Sequence, residues 1–401
     1  MKKKVLVRGP FLTRSGYGEH TRMILRMLKN KDEIELFAIP TSWGQTGWLK
    51  CNYPDIDWMN ELAEKTSRHI ATNGGFDASI QVTIPVEFQM LAPVNVGVTA
   101  GIETHRVSPA WNDRVASMNA LVVPSRHSKS GFDKELHNKI GVIPFPFRNE
   151  EKQDLDLSFV TTSFNFLAVA QDGPRKNLIM TITEFINEFQ DDEKVGLILK
   201  ADIKNGSYVD YTYFKEKYIP YLNSKFPNGY KCRVYLLHGD LEDSQMASLY
   251  SSEKVNALVS TTHGEGFGLP IFSSVVNNKP VIAPDWSGHL DFLYKDKEPL
   301  FGKISYSLKP IQQEAVWPGV IDPGMMWCFP NSASYREKLR NCYNYYGSYR
   351  SNAEKLGEYI RNEFAEEKVN SDMWNFLKPF LVWAEQEDEI FRVAPLTSEQ
   401  K

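Results

Sequence analysis

The chain has 401 residues, of which 42% are hydrophobic and 24% charged, and a net charge of −4; these are the values of a soluble globular protein and exclude collagen-like and disordered classes. A chain this long is expected to hold two cores, because single cores stop growing near roughly 250–300 residues. Residues 1–150 carry 19 Lys and Arg against 15 Asp and Glu, and the remainder 27 against 35, so a general nucleic-acid binder is not indicated and the first part is the better place for an anionic partner.

Short β-branched runs alternate with helical patterns, the mark of βαβ units and parallel sheets. The first run, "KVLVRG", leads through a Gly16-x-Gly18 turn into a basic amphipathic helix, where a purely structural turn is as good a reading as a ligand loop. Arg22, Arg26 and Lys29 fall opposite Ile24, Leu25 and Leu28, either as a solvated face or as a patch for an anionic acceptor. After the strand "EIELFAIP" comes "TSWGQTGWLKCNYPDIDW", a loop dense in Trp43, Trp48, Tyr53 and Trp58. Such rings either stack on sugar rings and bases or pack in a core. The strands "ASIQVTIP" and "VGVTAG" follow, the second running into "GIETHR" with Glu103 and His105, and "ALVVPS" closes the series.

Residues 147–163 are Pro-containing, then acidic and polar, and form the expected linker. It sets a first domain at 1–150 and a second at 151–365. The second series of strands is "FNFLAVAQ", "VGLILKAD", "RVYLLHGD", "NALVST" and "PVIAPD". Between the last two lies "HGEGFGLP", where Gly264, Gly266 and Gly268 let backbone amides approach a ligand and the start of a helix favours negative charge. A phosphate fits here; so does a tight connection that merely needs glycine. The tail, 366–401, reads as a helix interrupted near Pro379, with Trp374, Phe376, Leu377, Phe380, Leu381 and Trp383 packing back on the body.

Cys51, Cys232, Cys328 and Cys342 lie far apart with no CxxC pair, so free thiols and a cytoplasmic setting are expected rather than a disulfide frame or zinc site. No signal-peptide core is visible, and no stretch nears the roughly 18 apolar residues of a transmembrane helix.

Five segments taken in order resemble retaining, nucleotide-sugar-dependent glycosyltransferases of the GT-B fold, the family 4-like group that includes sucrose synthases and bacterial mannosyltransferases. They are "SGYGEHTRMILRML", the region from "AGIETHR" to "SRHSKSGF", "FNFLAVAQDGPRKN", "VYLLHGDLEDSQMASLY" and "EGFGLP" followed by "NKPVIAPD". The resemblance implies an α/β fold with two doubly wound Rossmann-like domains facing each other across a cleft. It also implies that Arg175 and Lys176 bind the donor diphosphate and that Gly16, with Gly18, closes near the phosphates. By the same likeness Lys200, Gly239 and Leu241 belong to the donor pocket, together with Gly266, Phe267, Gly268 and Leu269.

Glu265 matches the first acid of the family's Glu-(seven residues)-Glu region, whereas Ser273 stands where the second, ribose-binding acid belongs. The family's histidine after the fourth strand has Glu103 or His105 as its nearest counterpart; Glu103 comes sooner after the strand and is preferred as the catalytic candidate. His105, Trp43, Trp48 and Tyr53 are then the acceptor-side candidates. Glu265 is read as a partner of donor-sugar hydroxyls and a counter-charge to an oxocarbenium-like centre. Retaining glycosidases need two carboxylates about 5 Å apart, and this segment offers one.

The expected activity is transfer of a hexosyl or pentosyl group, with retention, from a nucleoside diphosphate sugar to a hydroxyl acceptor. That acceptor is a glycan, a small molecule, a protein or a hydroxylated DNA base. No cofactor or metal is expected, since basic side chains and a helix terminus meet the diphosphate. The alternatives are a catalytically silent sugar-nucleotide-binding module, suggested by Ser273, and another GT-B enzyme such as a phosphorylase or epimerase.

Overall fold

The computed structural model describes residues 2–44, 46–204 and 206–383; the part of the expected tail from 384 to 401 lies outside the described residues. Two parallel six-stranded sheets organise the chain. The first holds β1 (Lys3–Gly9), β2 (Ile34–Pro40), β3 (Ala78–Val82), β4 (Val94–Val98), β5 (Ala120–Val123) and β6 (Ile140–Val142), in the order β2-β1-β3-β4-β5-β6. Their central residues are buried on both faces, as parallel strands under helices must be: Val5, Leu6 and Val7 of β1 are all inside. Helices α1 (Gly16–Leu28), α2 (Ile56–Ala71), α3 (Pro109–Ser117) and α4 (Arg126–Ser130) connect them.

The second sheet begins with β7 (Phe164–Gln171) and β8 (Val195–Asp202), continues with β9 (Arg233–Leu237), β10 (Ala257–Val259) and β11 (Val281–Pro284), and ends at β14 (Gly302–Ile304). Its order, β14-β11-β10-β7-β8-β9, is that of a Rossmann sheet, which reverses direction between β7 and β10. Ligands of such sheets sit outside the strand ends at that reversal. Helices α5 (Leu178–Phe189), α6 (Tyr208–Lys225), α7 (Asp243–Ser251), α8 (Leu269–Val276), α9 (Leu290–Leu293) and α10 (Ser332–Asn344) cover it, with α11 (Tyr346–Glu363) closing the series. Two pairings were not expected from sequence: the short hairpin of β12 (Tyr294–Lys295) with β13 (Glu298–Pro299), and that of β15 (Tyr306–Pro310) with β16 (Met326–Pro330).

Residues 147–163 cross from one sheet to the other, but not as a bare tether. Phe147 donates its N–H to the Phe364 carbonyl at 2.6 Å and bridges to Ala365, and Leu157 and Val160 are buried. The outgoing and returning crossings therefore run side by side. Beyond the return, α12 (Glu366–Leu381) lies against the first sheet, with Phe376 packed over Gly141 and Lys378 paired to Glu33 at 3.3 Å. The expected interruption at Pro379 is absent: the helix runs through it and stops two residues later, where a missing N–H costs one hydrogen bond near the end.

Candidate active site

The loops after β7 and β10 meet at the reversal of the second sheet. Arg175 and Lys176 come from the turn Pro174–Lys176, just past β7, and Glu265 from the loop past β10. Lys176 Nζ donates to Glu265 Oε1 at 2.6 Å, and Arg175 donates to Glu265 Oε2 at 3.1 Å and to the Gly264 carbonyl at 2.9 Å. From the first sheet, the loop after β4 brings Glu103 to 3.6 Å from Arg175. The four residues form a chain of alternating charge, Glu103–Arg175–Glu265–Lys176.

Burial works to raise the Glu265 carboxyl, but Lys176 and Arg175 outweigh it and hold the group at about 2. Burial also raises Glu103, and there it wins: Arg175 opposes it, while the charge of Glu265 adds to it. Lys176 is lowered by burial against the pull of Glu265, and Arg175 is raised by Glu103 and Glu265 in spite of burial.

A cavity of about 540 Å³ lies between the sheets. Lys176, Lys200, Leu241, Leu269 and Ser273 line it from the second sheet and Gly16 from the first. Two helix N-termini converge there: a Cβ placed on Gly16, at the start of α1, would touch Leu269 Cδ1 at 3.9 Å, at the start of α8. The Ser15 hydroxyl caps α1 by accepting the Gly18 N–H, whereas α8 starts from left-handed Gly268 with no side-chain cap. Uncapped first-turn N–H groups suit an anion.

Several expected residues have other neighbours. Arg175, Glu265 and Glu103 do not line the cavity; the guanidinium is held by the two glutamates and Gly264. Gly264 and Gly266 are packed against the first sheet, where a Cβ would collide with the Glu103 and Ala100 carbonyl oxygens, and Gly18 is equally confined by Thr13. The Ser125 and Ser128 hydroxyls donate to the Gly266 carbonyl at 2.6 and 3.3 Å. The side chain of Phe267 lies among Phe145, Phe272 and Phe292 in the core, and Gly239 takes a left-handed turn (φ 97°) beside the cavity residues Asp240 and Leu241.

On the acceptor side, Trp43 stacks on Tyr17 at 4.0 Å and Tyr53 is buried under Arg22, so among the three aromatic candidates only Trp48, 58% exposed, presents a free ring. His105 is tied to the β16 hairpin: its N–H donates to the Met326 carbonyl at 2.8 Å and its Nδ1 accepts the Met326 N–H at 2.9 Å. Burial rules out the solvated-face reading of the α1 cations for Arg22, which lines the cavity, and ion pairs hold both Arg22 and Arg26. Arg22 is 4% exposed and pairs with Glu19 at 2.9 Å; Arg26 pairs with Asp55 at 3.2 Å.

Sequence reasoning missed Arg14, which crosses to the second sheet and donates to Glu242 at 2.6 Å and to the Leu241 carbonyl at 2.8 Å. It also missed Arg148, Glu150 and Asp243 in the cavity wall. The one available signal was position: Arg14 lies two residues before Gly16 of the Gly16-x-Gly18 turn. Among the described residues, no group of three or more His, Cys, Asp or Glu is arranged to hold a metal ion, and no helix is long and apolar enough to cross a membrane.

The sequence matches no family profile and no curated relative. Solved structures do resemble it. HepE of Anabaena, solved with UDP-glucose, superposes at a TM-score of 0.57 with 14% identity, covering 94% of this chain and all of HepE. Sucrose-phosphate synthase of Thermosynechococcus elongatus gives 0.59 with 11% identity over 94% and 99% of the two chains. TarM of Staphylococcus aureus gives 0.49 with 15% identity, and this chain covers 55% of its length and is itself covered over 75%. The expected architecture is therefore present: the fold is GT-B, two Rossmann-like halves facing each other, and structural neighbours of that fold are glycosyltransferases.

Proposed function

We propose that this chain is a glycosyltransferase that moves a sugar, with retention, from a nucleoside diphosphate sugar to a hydroxyl acceptor. The observation that carries the reading is the convergence of two helix N-termini and Lys176 on one cavity, with Glu265 at the reversal of the second sheet. The leaving diphosphate gains negative charge in the transition state, and preorganised positive groups aimed at that charge supply the largest catalytic contribution. Lys176 and the start of α8 are that set, so no metal ion is required.

Glu265 remains ionised at any working pH, because its two cations hold it near 2. Lying directly behind Lys176 rather than in the cavity wall, it balances the positive charge that develops as the bond to the phosphate breaks. Arg175 serves indirectly, fixing Glu265 and Glu103 in register across the cleft. Leu241, Lys200 and Ser273 form the nucleotide side of the cavity.

The wall contributed by the first sheet favours an uncharged, hydroxyl-rich acceptor over DNA. Its cations are already engaged: Arg14 with Glu242, Arg22 with Glu19, and Arg148 with Glu366 at 3.3 Å. Burial raises Glu150, and the charges of Asp243 and Glu19 add to this despite Arg148, so a phosphate placed beside Glu150 would meet like charge at that point.

The test is incubation with a panel of nucleotide sugars in EDTA, headed by UDP-glucose because HepE shares the fold and was solved with it. Slow donor hydrolysis, accelerated by an acceptor, is expected. Loss of turnover in EDTA with recovery on magnesium or manganese would overturn the metal-free part, and no hydrolysis or transfer with any donor would favour a silent binding module.

A further inference from the structure

We propose that Glu103 takes up a proton when a donor diphosphate enters the cavity, so that donor affinity falls as pH rises. This rests on the reading of the cavity as a diphosphate site. The argument begins with a charge count along Glu103–Arg175–Glu265–Lys176. Two carboxylates face two cations, with contacts of 3.6, 3.1 and 2.6 Å along the chain. The cluster is therefore neutral as it stands, and it is largely buried: the side chains range from 9% exposed at Glu265 to 29% at Arg175. A diphosphate adds at least two negative charges next to Lys176, in a setting where charges are weakly screened.

Added negative charge raises the pKa of every neighbouring acid, so protons can only be taken up. Geometry selects the site of uptake. Glu265 is gripped by both cations at 2.6 and 3.1 Å, whereas Glu103 has a single, longer contact to Arg175 and feels Glu265 as a like charge. Burial already raises Glu103 before any ligand arrives. Lys176 is already counted as protonated in its 2.6 Å pair with Glu265, and uptake at Lys176 instead would persist in Glu103→Gln. Burial shifts the remaining groups facing the cluster away from their ordinary values. Burial pushes the Tyr17 hydroxyl up, lowers His289 and brings His127 down to about 4. Linkage then fixes the sign: a site that gains a proton on binding loses affinity as pH rises through the free and bound pKa of Glu103.

The experiment is titration calorimetry of the full chain with UDP-glucose, GDP-mannose and ADP-glucose, whose diphosphates carry no proton that titrates near neutrality. Each is run in PIPES and in Tris, whose ionisation enthalpies differ and neither of which is a phosphate. Uptake of about half to one proton is expected for wild type, and close to none for Glu103→Gln, whose affinity should also lose its decline of up to about tenfold per pH unit. Binding without proton uptake, or equal uptake in Glu103→Gln, would overturn the proposal and leave the diphosphate site standing. Binding of none of the three would remove the diphosphate reading itself, and this proposal with it.

Discussion

Gly266 and Ala100 meet backbone to backbone across the two halves of the molecule, and a methyl group added at Gly266 would collide with the Ala100 carbonyl oxygen. The glycine-rich loop is thus as much a contact between halves as a ligand loop. Gly266→Ala should destabilise the protein by about 1–3 kcal/mol, the usual cost of overpacking. Urea unfolding checks it; an unchanged midpoint would mean that the loops separate freely.

Lys176 opens onto the cavity while its neighbour Arg175 does not. Lys176→Ala should weaken nucleoside diphosphate binding by roughly 1.5–3 kcal/mol, the range for a hydrogen bond to a charged group, and leave nucleoside binding nearly unchanged. Calorimetry with both ligands separates the cases, and equal losses would place Lys176 away from the phosphates.

Glu265→Gln keeps shape and removes charge. kcat should fall by about 10²-fold or more with little change in nucleotide affinity. The same variant has a signature without substrate. Because the folded pKa lies near 2, below the ordinary 4.5, the ion pairs of Glu265 add stability that is present above pH 4.5 and lost as pH falls from there toward 2. Acid unfolding of the wild type should show that loss, and the glutamine variant should lack it.

Ser273 faces the cavity from α8. Ser273→Ala should cost at most one neutral hydrogen bond, about 0.5–1.5 kcal/mol in donor binding. A loss as large as that at Lys176 would make Ser273 a principal donor contact.

Acceptor charge gives a further test. With the cognate donor, neutral sugars should accelerate turnover at low salt, whereas sugar phosphates and hydroxymethylated DNA should not, since Arg14, Arg22 and Arg148 of the cavity wall are already paired with carboxylates. Phosphorylated acceptors used more efficiently than their neutral counterparts would reverse the assignment.

Much of this architecture was legible in the sequence. The runs "FNFLAVAQ" and "VGLILKAD" coincide with β7 and β8, because central parallel strands are apolar throughout. β6 and β14, three residues each, did not stand out, because "IGV" and "GKI" each include a glycine, whereas the equally short β10 reads "ALV". Glu265, Arg175 and Lys176 could be grouped by the family resemblance, to which the position of each just past a strand end added support. Their division of labour could not, since it depends on which side chain the opposite half covers. Tyr53 shows the same limit: nothing local distinguishes an aromatic loop residue that binds a sugar from one that shelters under Arg22.

The placement of α12 bears on how the protein is made. The helix buries Val369, Met373, Trp374, Leu377 and Leu381, yet it leans on strands formed from residues near the other end of the chain. During synthesis the first sheet must wait, with that surface uncovered, until residue 381 has left the ribosome, while the second half already has all of its own strands and helices. The later-made half is then the first to be finished, and a fragment cut at residue 150 would carry an apolar face with nothing to cover it.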